Sequence, residues 1–494
     1  MPLPRELAEL QMEVEAVAQR YGLSTFPVVF EMVDYAQMNQ LAAYTGFPVR
    51  YPHWRWGMEY DQLAKSYEYG LHKIYEMVIN NDPTYAYLLE GNTLLDQKLV
   101  MAHVYGHADF FRNNIFFSHT NRKMVDQMAN HATRMRRYQD RLGIERVESF
   151  LDACLAIENL IDPQAAFEDH YGLSDAHEEQ LDPNEPIAVR SLPAKDYMDR
   201  YVNPPEFLER QRATLQQERE KRRRFPRSPR RDVLGFLLRH APLDSWERDI
   251  LGIVREESYY FLPQRQSKIM NEGWASFWHT RMLTRDLLHD SELVDYADHH
   301  SGTTAVQPGR LNPYKLGLEL FRDIECRWDT GRFGPEWDAC DDMAERTHWD
   351  RQTGLGRDKA FEVRRVHCDL TFLDEFLTVD FCRRQKLFVF GRERRKNAWV
   401  ITSREFDEIK QALLFQLTNA GTPIIEVVDG NFRNRGELLL AHRHDGVDLR
   451  KDWAIETLGA LALVWRRPVF VETTVRGKPQ RLGHDGQQPC EEDI

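Results

Sequence analysis

The stretch AYLLEGNTLLDQKLVMAHVYGH, residues 86–107, decides how the first part of this chain folds. Its apolar start predicts a short β-strand over 85–89, and the run after it predicts a long helix over 94–114. That helix carries His103 and His107. Four residues advance a helix by about 400°, so the two imidazoles leave it about 40° and one turn apart. The spacing therefore predicts a helix that can present two imidazoles to a single metal ion.

A third candidate ligand lies much further along the chain, in the segment Asn271-Glu272-Gly273-Trp274-Ala275. This segment resembles the Asn-Glu-Gly-x-Ala helix of gluzincin aminopeptidases, in which the Glu completes a set of His, His and Glu ligands. The resemblance implies a zincin-like site in which His103, His107 and Glu272 hold a divalent metal. Zinc is the expected metal, because it favours this ligand set.

The residue after the first histidine argues against fast hydrolysis. In the motif His-Glu-x-x-His, the Glu at that position is the general base that activates water. This chain has Val104 there, and an alkyl side chain cannot accept a proton. Either another carboxylate performs this role, with Glu256, Glu257 and Asp109 as the catalytic candidates, or the site binds metal without rapid catalysis.

Other polar residues are expected around the candidate ligands. His279 follows Glu272 by two helical turns, about 10.5 Å, which is too far for both side chains to bind one ion comfortably. We therefore expect His279 to support the ligands or to face a substrate. The other residues expected in such roles are Tyr105, His131 and His300.

The composition limits the kinds of partner. A length of 494 residues exceeds one ordinary core and predicts two or three domains. A net charge of −13 disfavours nucleic acid or an anionic membrane as the main partner. No secretion signal is evident and the apolar stretch 458–465 is too short to span a membrane, so we expect a cytoplasmic protein. Six scattered cysteines without a Cys-x-x-Cys pair predict reduced thiols.

Helical periodicity dominates the first two thirds of the chain, and short β-rich runs follow after about residue 364. The expected fold class is α+β, predominantly α-helical, with a zincin-like helical N-terminal part and a C-terminal α+β module. The expected parts are a helical domain at 1–161, a charged, Pro-containing connector at 162–232, a helical segment at 233–363 that completes the first domain, an α+β domain at 364–477 and a disordered tail at 478–494.

Two long blocks of sequence also carry a family resemblance. His103–Asn114 and Met270–His279 resemble the SpoVR family, the stage V sporulation protein R group. Shorter blocks with the same resemblance are Pro52–Trp54, Asn121–Asp126 and Leu311–Gly317. The resemblance extends over nearly the whole chain.

The resemblance implies a biological context rather than a reaction. In spore formers the family is linked to assembly of the spore cortex peptidoglycan. Relatives in other bacteria tend to be encoded beside a PrkA-like serine protein kinase and a protein with a von Willebrand type A-like domain, which implies a stress response. Two functions stay open: a metal-dependent hydrolase of an amide or peptide-like bond, and a non-enzymatic regulator or adaptor for the kinase, which Val104 favours.

Overall fold

The computed structural model describes residues 3–68, 76–168, 198, 202–213, 225–226, 228–307, 309–393 and 398–494. In this part of the chain, helices predominate and strands form a smaller share, so the α+β class with mostly helical content is confirmed. Most of the expected connector at 162–232 lies outside the described residues.

The helices are labelled here in chain order. They are α1 (Arg5–Arg20), α2 (Tyr35–Ala43), α3 (Trp54–Glu68), α4 (Leu94–Asn113), α5 (Met124–Leu142), α6 (Ile144–Ala156), α7 (Ala165–Glu168), α8 (Val233–His240), α9 (Ser245–Gln266), α10 (Lys268–Met282), α11 (Leu293–Thr303), α12 (Pro313–Thr330), α13 (Gly334–Asp338), α14 (Met343–His348), α15 (Gly356–Val366), α16 (Asp369–Phe376), α17 (Val379–Gln385), α18 (Phe406–Leu417) and α19 (Lys451–Trp465).

The strands of the described residues form two sheets and a hairpin. They are β1 (Val28–Val33), β2 (Glu76–Ile79), β3 (Thr84–Leu89), β4 (Val389–Glu393), β5 (Ala398–Ser403), β6 (Ile425–Phe432), β7 (Glu437–His442), β8 (Val469–Val475), β9 (Lys478–His484) and β10 (Pro489–Asp493). In the first sheet, β3 lies between a parallel β1 and an antiparallel β2. The second sheet has the order β10-β9-β8-β7-β6, with only β7 and β8 parallel, and β4 pairs with β5.

The chain divides into two compact units, each built from two separate stretches. The first unit comprises Met1–Asp140 and Tyr260–Gly421, and the second comprises Arg141–Tyr259 and Thr422–Ile494. This division differs from the expected boundaries, because residues 364–421 belong with the first unit. Phe381 and Ile409 of this stretch are buried in the same apolar core as residues of α4 and α10, which explains the difference.

The last residues also differ from expectation. The stretch 478–494, expected to be a disordered tail, forms β9 and β10 of the five-stranded sheet. Leu482 is fully buried and pairs with Val471 of β8. A polar composition hid these strands, because antiparallel strands near a sheet edge bury only some of their side chains and leave the others in water.

Helix α4 runs through the core of the first unit. It begins at Thr93, whose hydroxyl accepts the Asp96 backbone N–H at 3.1 Å while the Asp96 carboxylate accepts the Thr93 N–H. This capping box fixes the helix start. Between Leu95 and Phe111 every residue except Leu99 is buried. A helix enclosed on all sides belongs to the interior of its unit, so its polar residues there need partners.

Helix α10 is held at its start and along its length. The backbone N–H groups of Ile269 and Met270 donate to the two carboxylate oxygens of the buried Asp369, at 2.8 Å each. A Cβ atom on Gly106 of α4 would lie 2.6 Å from the Ala275 Cα of α10. These two helices therefore touch backbone to backbone at a point that only glycine permits.

A second contact of the same kind joins α10 to α12. A Cβ atom on Gly273 would lie 2.4 Å from the backbone of Gly317, and one on Gly317 would lie 2.1 Å from the Ile269 carbonyl oxygen. Helix α10 thus packs against α4 at one contact and against α12 at the other, with backbone atoms touching at both. Because α4 and α10 carry the three candidate ligands, this packing sets the distances between them.

We predict that Gly106→Ala lowers the free energy of unfolding by about 1–3 kcal/mol, because the added methyl group forces α4 away from α10. Urea unfolding followed by circular dichroism measures this. Gly57→Ala is the matched control, since Gly57 lies in α3 and a Cβ there meets nothing within 4 Å. The control is expected to gain up to about 1 kcal/mol. Equal effects of the two substitutions would contradict the role assigned to the α4–α10 contact.

Candidate metal centre

His103, His107 and Glu272 come together in the first unit. The Nε2 atoms of both histidines lie 3.6 Å from the Glu272 Oε2 atom. The two imidazole rings are perpendicular, with centroids 4.5 Å apart, as expected for side chains one turn apart on α4. All three ligand atoms lie within 4.8 Å of one another. The predicted residues therefore form one cluster in space.

The distances fit a metal ion better than they fit direct hydrogen bonds. A separation of 3.6 Å is too long for a hydrogen bond between nitrogen and oxygen. Ligands bound about 2.1 Å from a tetrahedral zinc ion are separated from each other by about 3.4 Å. The Glu272 Oε2 atom is buried and has no hydrogen-bond partner among the described residues. A buried carboxylate oxygen without a donor is costly unless a cation compensates it.

The far side of each imidazole is held by a second group. His103 Nδ1 lies 2.8 Å from His279 Nδ1, and His107 Nδ1 lies 2.9 Å from the Asn271 Oδ1 atom. The amide oxygen of Asn271 can only accept, so His107 carries its proton on Nδ1. This leaves the His107 Nε2 lone pair directed toward Glu272. Such outer contacts orient the histidine ligands of metal sites.

The electrostatic environment favours the neutral form of the His107 imidazole and the charged form of the Glu272 carboxylate. Burial, with His103 close by, lowers the pKa of His107 to about 4, and burial next to His103 lowers the pKa of His279 well below its usual value. Burial alone would raise the pKa of Glu272, but the neighbouring histidines outweigh it and hold this pKa below its usual range. Neutral imidazoles and an ionised carboxylate are the states that bind metal.

A cavity of about 510 Å³ opens onto two of the candidate ligands, His107 and Glu272. The lining residues are Glu76, Met77 and Val78 of β2, His107 and Phe111 of α4, Phe261, Gln264 and Arg265 of α9, Lys268, Asn271 and Glu272 of α10, and Tyr314 of α12. The carboxylates among these residues are Glu272 and Glu76. The site therefore combines a ligand cluster with a space large enough for part of a substrate.

Glu76 and Tyr314 are two of the cavity residues that sequence reasoning did not identify. Burial raises the pKa of the Glu76 carboxyl, His103 opposes this effect and Glu272 reinforces it. The Tyr314 ring stacks on His103 at a centroid distance of 6.2 Å, and burial raises the pKa of its hydroxyl. Tyr314 lies within a block that carries the family resemblance, and this was its only signal in the sequence. Glu76 had none.

Asp109, one of the expected catalytic carboxylates, lies elsewhere in the core. It is fully buried and accepts hydrogen bonds from the Trp274 indole and the Ser24 backbone N–H, both at 2.8 Å. The Arg364 guanidinium lies 3.4 Å from the same carboxylate. These contacts tie α4 to α10 and α15, and Asp109 does not line the cavity.

Four of the remaining expected residues lie outside the cluster of candidate ligands. Glu256 and Glu257 lie on α9 within the second unit, whereas the ligand cluster belongs to the first. Tyr105 packs against Phe30 in the apolar core. His131 is buried on α5, with its Nε2 atom 3.1 Å from the Gln127 side chain.

One group of histidines extends behind the ligands. His279 contacts His103 directly, and the His300 ring centroid lies 6.4 Å from that of His279. The structure therefore places His279 against the back of a candidate ligand and His300 one layer further out. The sequence spacing could not show this arrangement, since His300 lies on a different helix, α11.

We predict that Asp109→Ala lowers the free energy of unfolding by about 3–5 kcal/mol, because it leaves the Arg364 charge buried and unpaired and the Trp274 indole without an acceptor. Guanidinium unfolding monitored by tryptophan fluorescence measures the loss. Asp126→Ala, at an exposed position on α5, is the control and is expected to change stability by less than about 1 kcal/mol. A fully stable Asp109→Ala protein would refute the structural role of Asp109.

The fold and the site together define a mostly helical α+β protein with a buried cluster of two histidines and a glutamate. The family model described as SpoVR like protein matches residues 3–422. The chain therefore belongs to the SpoVR family, as its sequence blocks indicated.

A curated relative supports this assignment. The chain is 34% identical over 332 residues to a protein named "Uncharacterized protein YcgB" from Escherichia coli (strain K12). The match covers 63% of this chain and 62% of that relative, so the chain spans less than two thirds of the relative's length. No solved structure matches the chain. Among the helices of the described residues, none has the length and apolar character needed to cross a membrane.

Proposed function

We propose that this protein is a metal-dependent hydrolase with a zincin-like site, in which His103, His107 and Glu272 hold a zinc ion. The observation that carries the proposal is the buried Glu272 Oε2 atom, which lies 3.6 Å from both histidine Nε2 atoms and has no donor among the described residues. The family name supports a link to sporulation, a stress response is the alternative context that we propose, and the reaction is part of the proposal.

Three protein ligands are typical of a catalytic zinc site, because a structural site has four and leaves no open position. When bound, zinc supplies Lewis-acid chemistry that activates water and polarises a carbonyl group. The cavity supports this interpretation, since it reaches Glu272 and His107 and has room beside them. The substrate bond we propose is an amide or peptide-like bond.

We assign the role of general base to Glu76. Val104, at the position where His-Glu-x-x-His proteins carry their base, is fully buried in the apolar core. Glu76 lines the cavity with Glu272 and interacts electrostatically with both Glu272 and His103. In the proposed step, Glu76 takes a proton from the water whose oxygen bonds to the carbonyl carbon. The C–N bond then breaks, and this proton moves to the leaving nitrogen.

We assign the role of oxyanion donor to Tyr314. Its ring stacks on His103, and burial keeps its hydroxyl protonated well above neutral pH. A neutral O–H beside the ligands can donate to the negative charge that develops on the carbonyl oxygen. Tyr314 would then stabilise the charge on the carbonyl oxygen, and Glu76 would take the proton from the water.

A regulator or adaptor that works with a PrkA-like kinase is the second candidate. The buried Val104 favours it, because the usual base is replaced by a core residue. In this case the cluster would bind metal for structural or regulatory reasons, without turnover. Metal content and hydrolysis therefore need separate measurements.

We predict that wild-type protein purified without a polyhistidine tag takes up about one zinc ion per chain. His103→Ala and Glu272→Ala each remove a ligand, so they are expected to lower zinc affinity by more than about 100-fold. Elemental analysis after equilibration with a zinc buffer measures this. His131→Ala is the matched control, since it removes a buried histidine outside the cluster, and it is expected to retain zinc. Equal zinc content in all four proteins would reject the site.

We predict that Glu76→Gln lowers the rate of hydrolysis of labelled casein by about 100-fold or more, because an amide cannot accept the proton from water. Its zinc content should equal that of the wild type, since Glu76 is not a proposed ligand. Glu90→Gln, at an exposed position after β3, is the control and should leave both quantities unchanged. If Glu76→Gln hydrolyses casein at the wild-type rate, the general base is another residue. If the zinc-loaded wild-type protein shows no hydrolysis, the result favours the second candidate function, a regulator or adaptor.

A further inference from the structure

The hydrogen bonds of β3 show which way its main-chain groups point. The Thr84 N–H donates to the Pro27 carbonyl at 2.9 Å, and the Glu90 N–H donates to the Val33 carbonyl at 3.0 Å. Residues at alternate positions of a strand direct their N–H and C=O groups to the same side. The even-numbered residues of β3 therefore bond toward β1, and the odd-numbered residues bond toward β2.

The pairing of β2 follows from this alternation. Met77 and Ile79 lie opposite odd-numbered residues of β3. In an antiparallel pair such residues exchange both of their hydrogen bonds, so the main-chain groups of Met77 and Ile79 are used within the sheet. The main-chain groups of Glu76 and Val78 must point the other way, to the edge of β2 that no strand of the described residues covers.

An independent contact agrees with this assignment. The carbonyl of Asn80, the next even-numbered residue, accepts a hydrogen bond from the Tyr260 hydroxyl at 2.9 Å. That carbonyl therefore also points away from β3. Among the described residues, no hydrogen bond involves the outward main-chain N–H or C=O group of Glu76 or of Val78. The part of this edge that lacks a partner among the described residues therefore belongs to residues that line the cavity.

The cavity follows the edge of β2 and not one face of the sheet. Successive side chains of a strand point to opposite faces, yet Glu76, Met77 and Val78 all line the cavity. Met77 and Ile79 face the Gly46 side of the sheet, where their side chains approach that glycine. The outward main-chain groups of Glu76 and Val78 thus belong to residues that line the cavity, and they lie at the spacing of a β-strand.

We propose that the substrate of the site is an extended polypeptide segment, which binds along β2 as an added antiparallel or parallel strand. This proposal rests on the proposed hydrolase function and names its substrate class. A strand added to a sheet edge is a recurring mode of peptide recognition, in which main-chain hydrogen bonds supply affinity. The pairing would place the peptide backbone in the cavity that Glu76, Glu272 and His107 line. One of its carbonyl groups then lies where hydrolysis is proposed.

The test uses hydroxamates as probes, because a hydroxamate binds zinc and is not cleaved as a substrate. Acetohydroxamate contacts the metal alone, whereas tripeptidyl hydroxamates also offer a backbone to β2. A panel with alanine, leucine or glutamate side chains is suitable, and glutamate is included because Lys268 lines the cavity. Calorimetry on the full-length, zinc-loaded protein measures each affinity.

We expect at least one tripeptidyl hydroxamate to bind about tenfold tighter than acetohydroxamate, as one or two added main-chain hydrogen bonds would give. Val78→Pro should abolish this gain, because it removes the outward N–H without breaking a bond to β3. Val78→Ala is the matched control, since it also shortens the side chain but keeps the N–H, and it should retain the gain. N-methylation of the best peptide should abolish the gain on the wild-type protein, a result that does not depend on how Val78→Pro folds.

Three results would overturn the proposal. The first is the absence of any gain from a peptide backbone on the wild-type protein. The second is a gain that survives both Val78→Pro and N-methylation. In these two cases zinc and acetohydroxamate still bind, so the proposed metal site stands and only the substrate class is wrong. The third is a wild-type protein that takes up no zinc, which removes the hydrolase proposal and this one together.

Discussion

The close contact between α4 and α10 is the constraint on which the candidate site depends. Gly106 and Ala275 bring the two backbones together, and Gly273 with Gly317 fixes α10 from its other side. Two imidazoles from one helix and a carboxylate from another can share a small ion only when the helix axes are this close. A larger residue at Gly106 would push α10 away from α4 and so move Glu272 away from the two histidines. Asp109 strengthens the same contact, since it accepts a hydrogen bond from Trp274 of α10.

The parts of the site that depend on local geometry could be predicted, and the parts that depend on sheet register could not. His103 and His107 followed from the helical repeat alone. Glu272 could be predicted only from its motif, because the residues around it in the sequence do not show that α10 contacts α4. Glu76 comes from a four-residue strand whose position is set by its pairing with β3, and no periodicity in so short a segment reports that pairing. The same limit applies to Asp109, whose proximity in sequence to His107 suggested catalysis although its side chain points into the core.

The fold shows the same division between local and long-range information. Helical and strand-rich segments were recognisable from their periodicity, so the α+β class was accessible. The composition of the two units was not, because each unit is assembled from two stretches of chain with the other unit's residues between them. Residues 364–421 look like the start of a β-rich domain, yet Phe381 and Ile409 bury their side chains in the core around α4. The sequence of 478–494 is polar enough to suggest a tail, but backbone pairing with β8 and β10 orders β9.

The interleaving of the two units has a consequence for biosynthesis. His107 and its partner Asn271 are separated by 164 positions, and all of the second unit's first stretch is translated between them. A ribosome therefore exposes the paired histidines long before the carboxylate that completes their set has been made. During that interval the nascent chain has two of the three proposed ligands and an incomplete core around α4. For the proposed metal site, loading would follow the emergence of α10, and chains released before that point would lack the third proposed ligand.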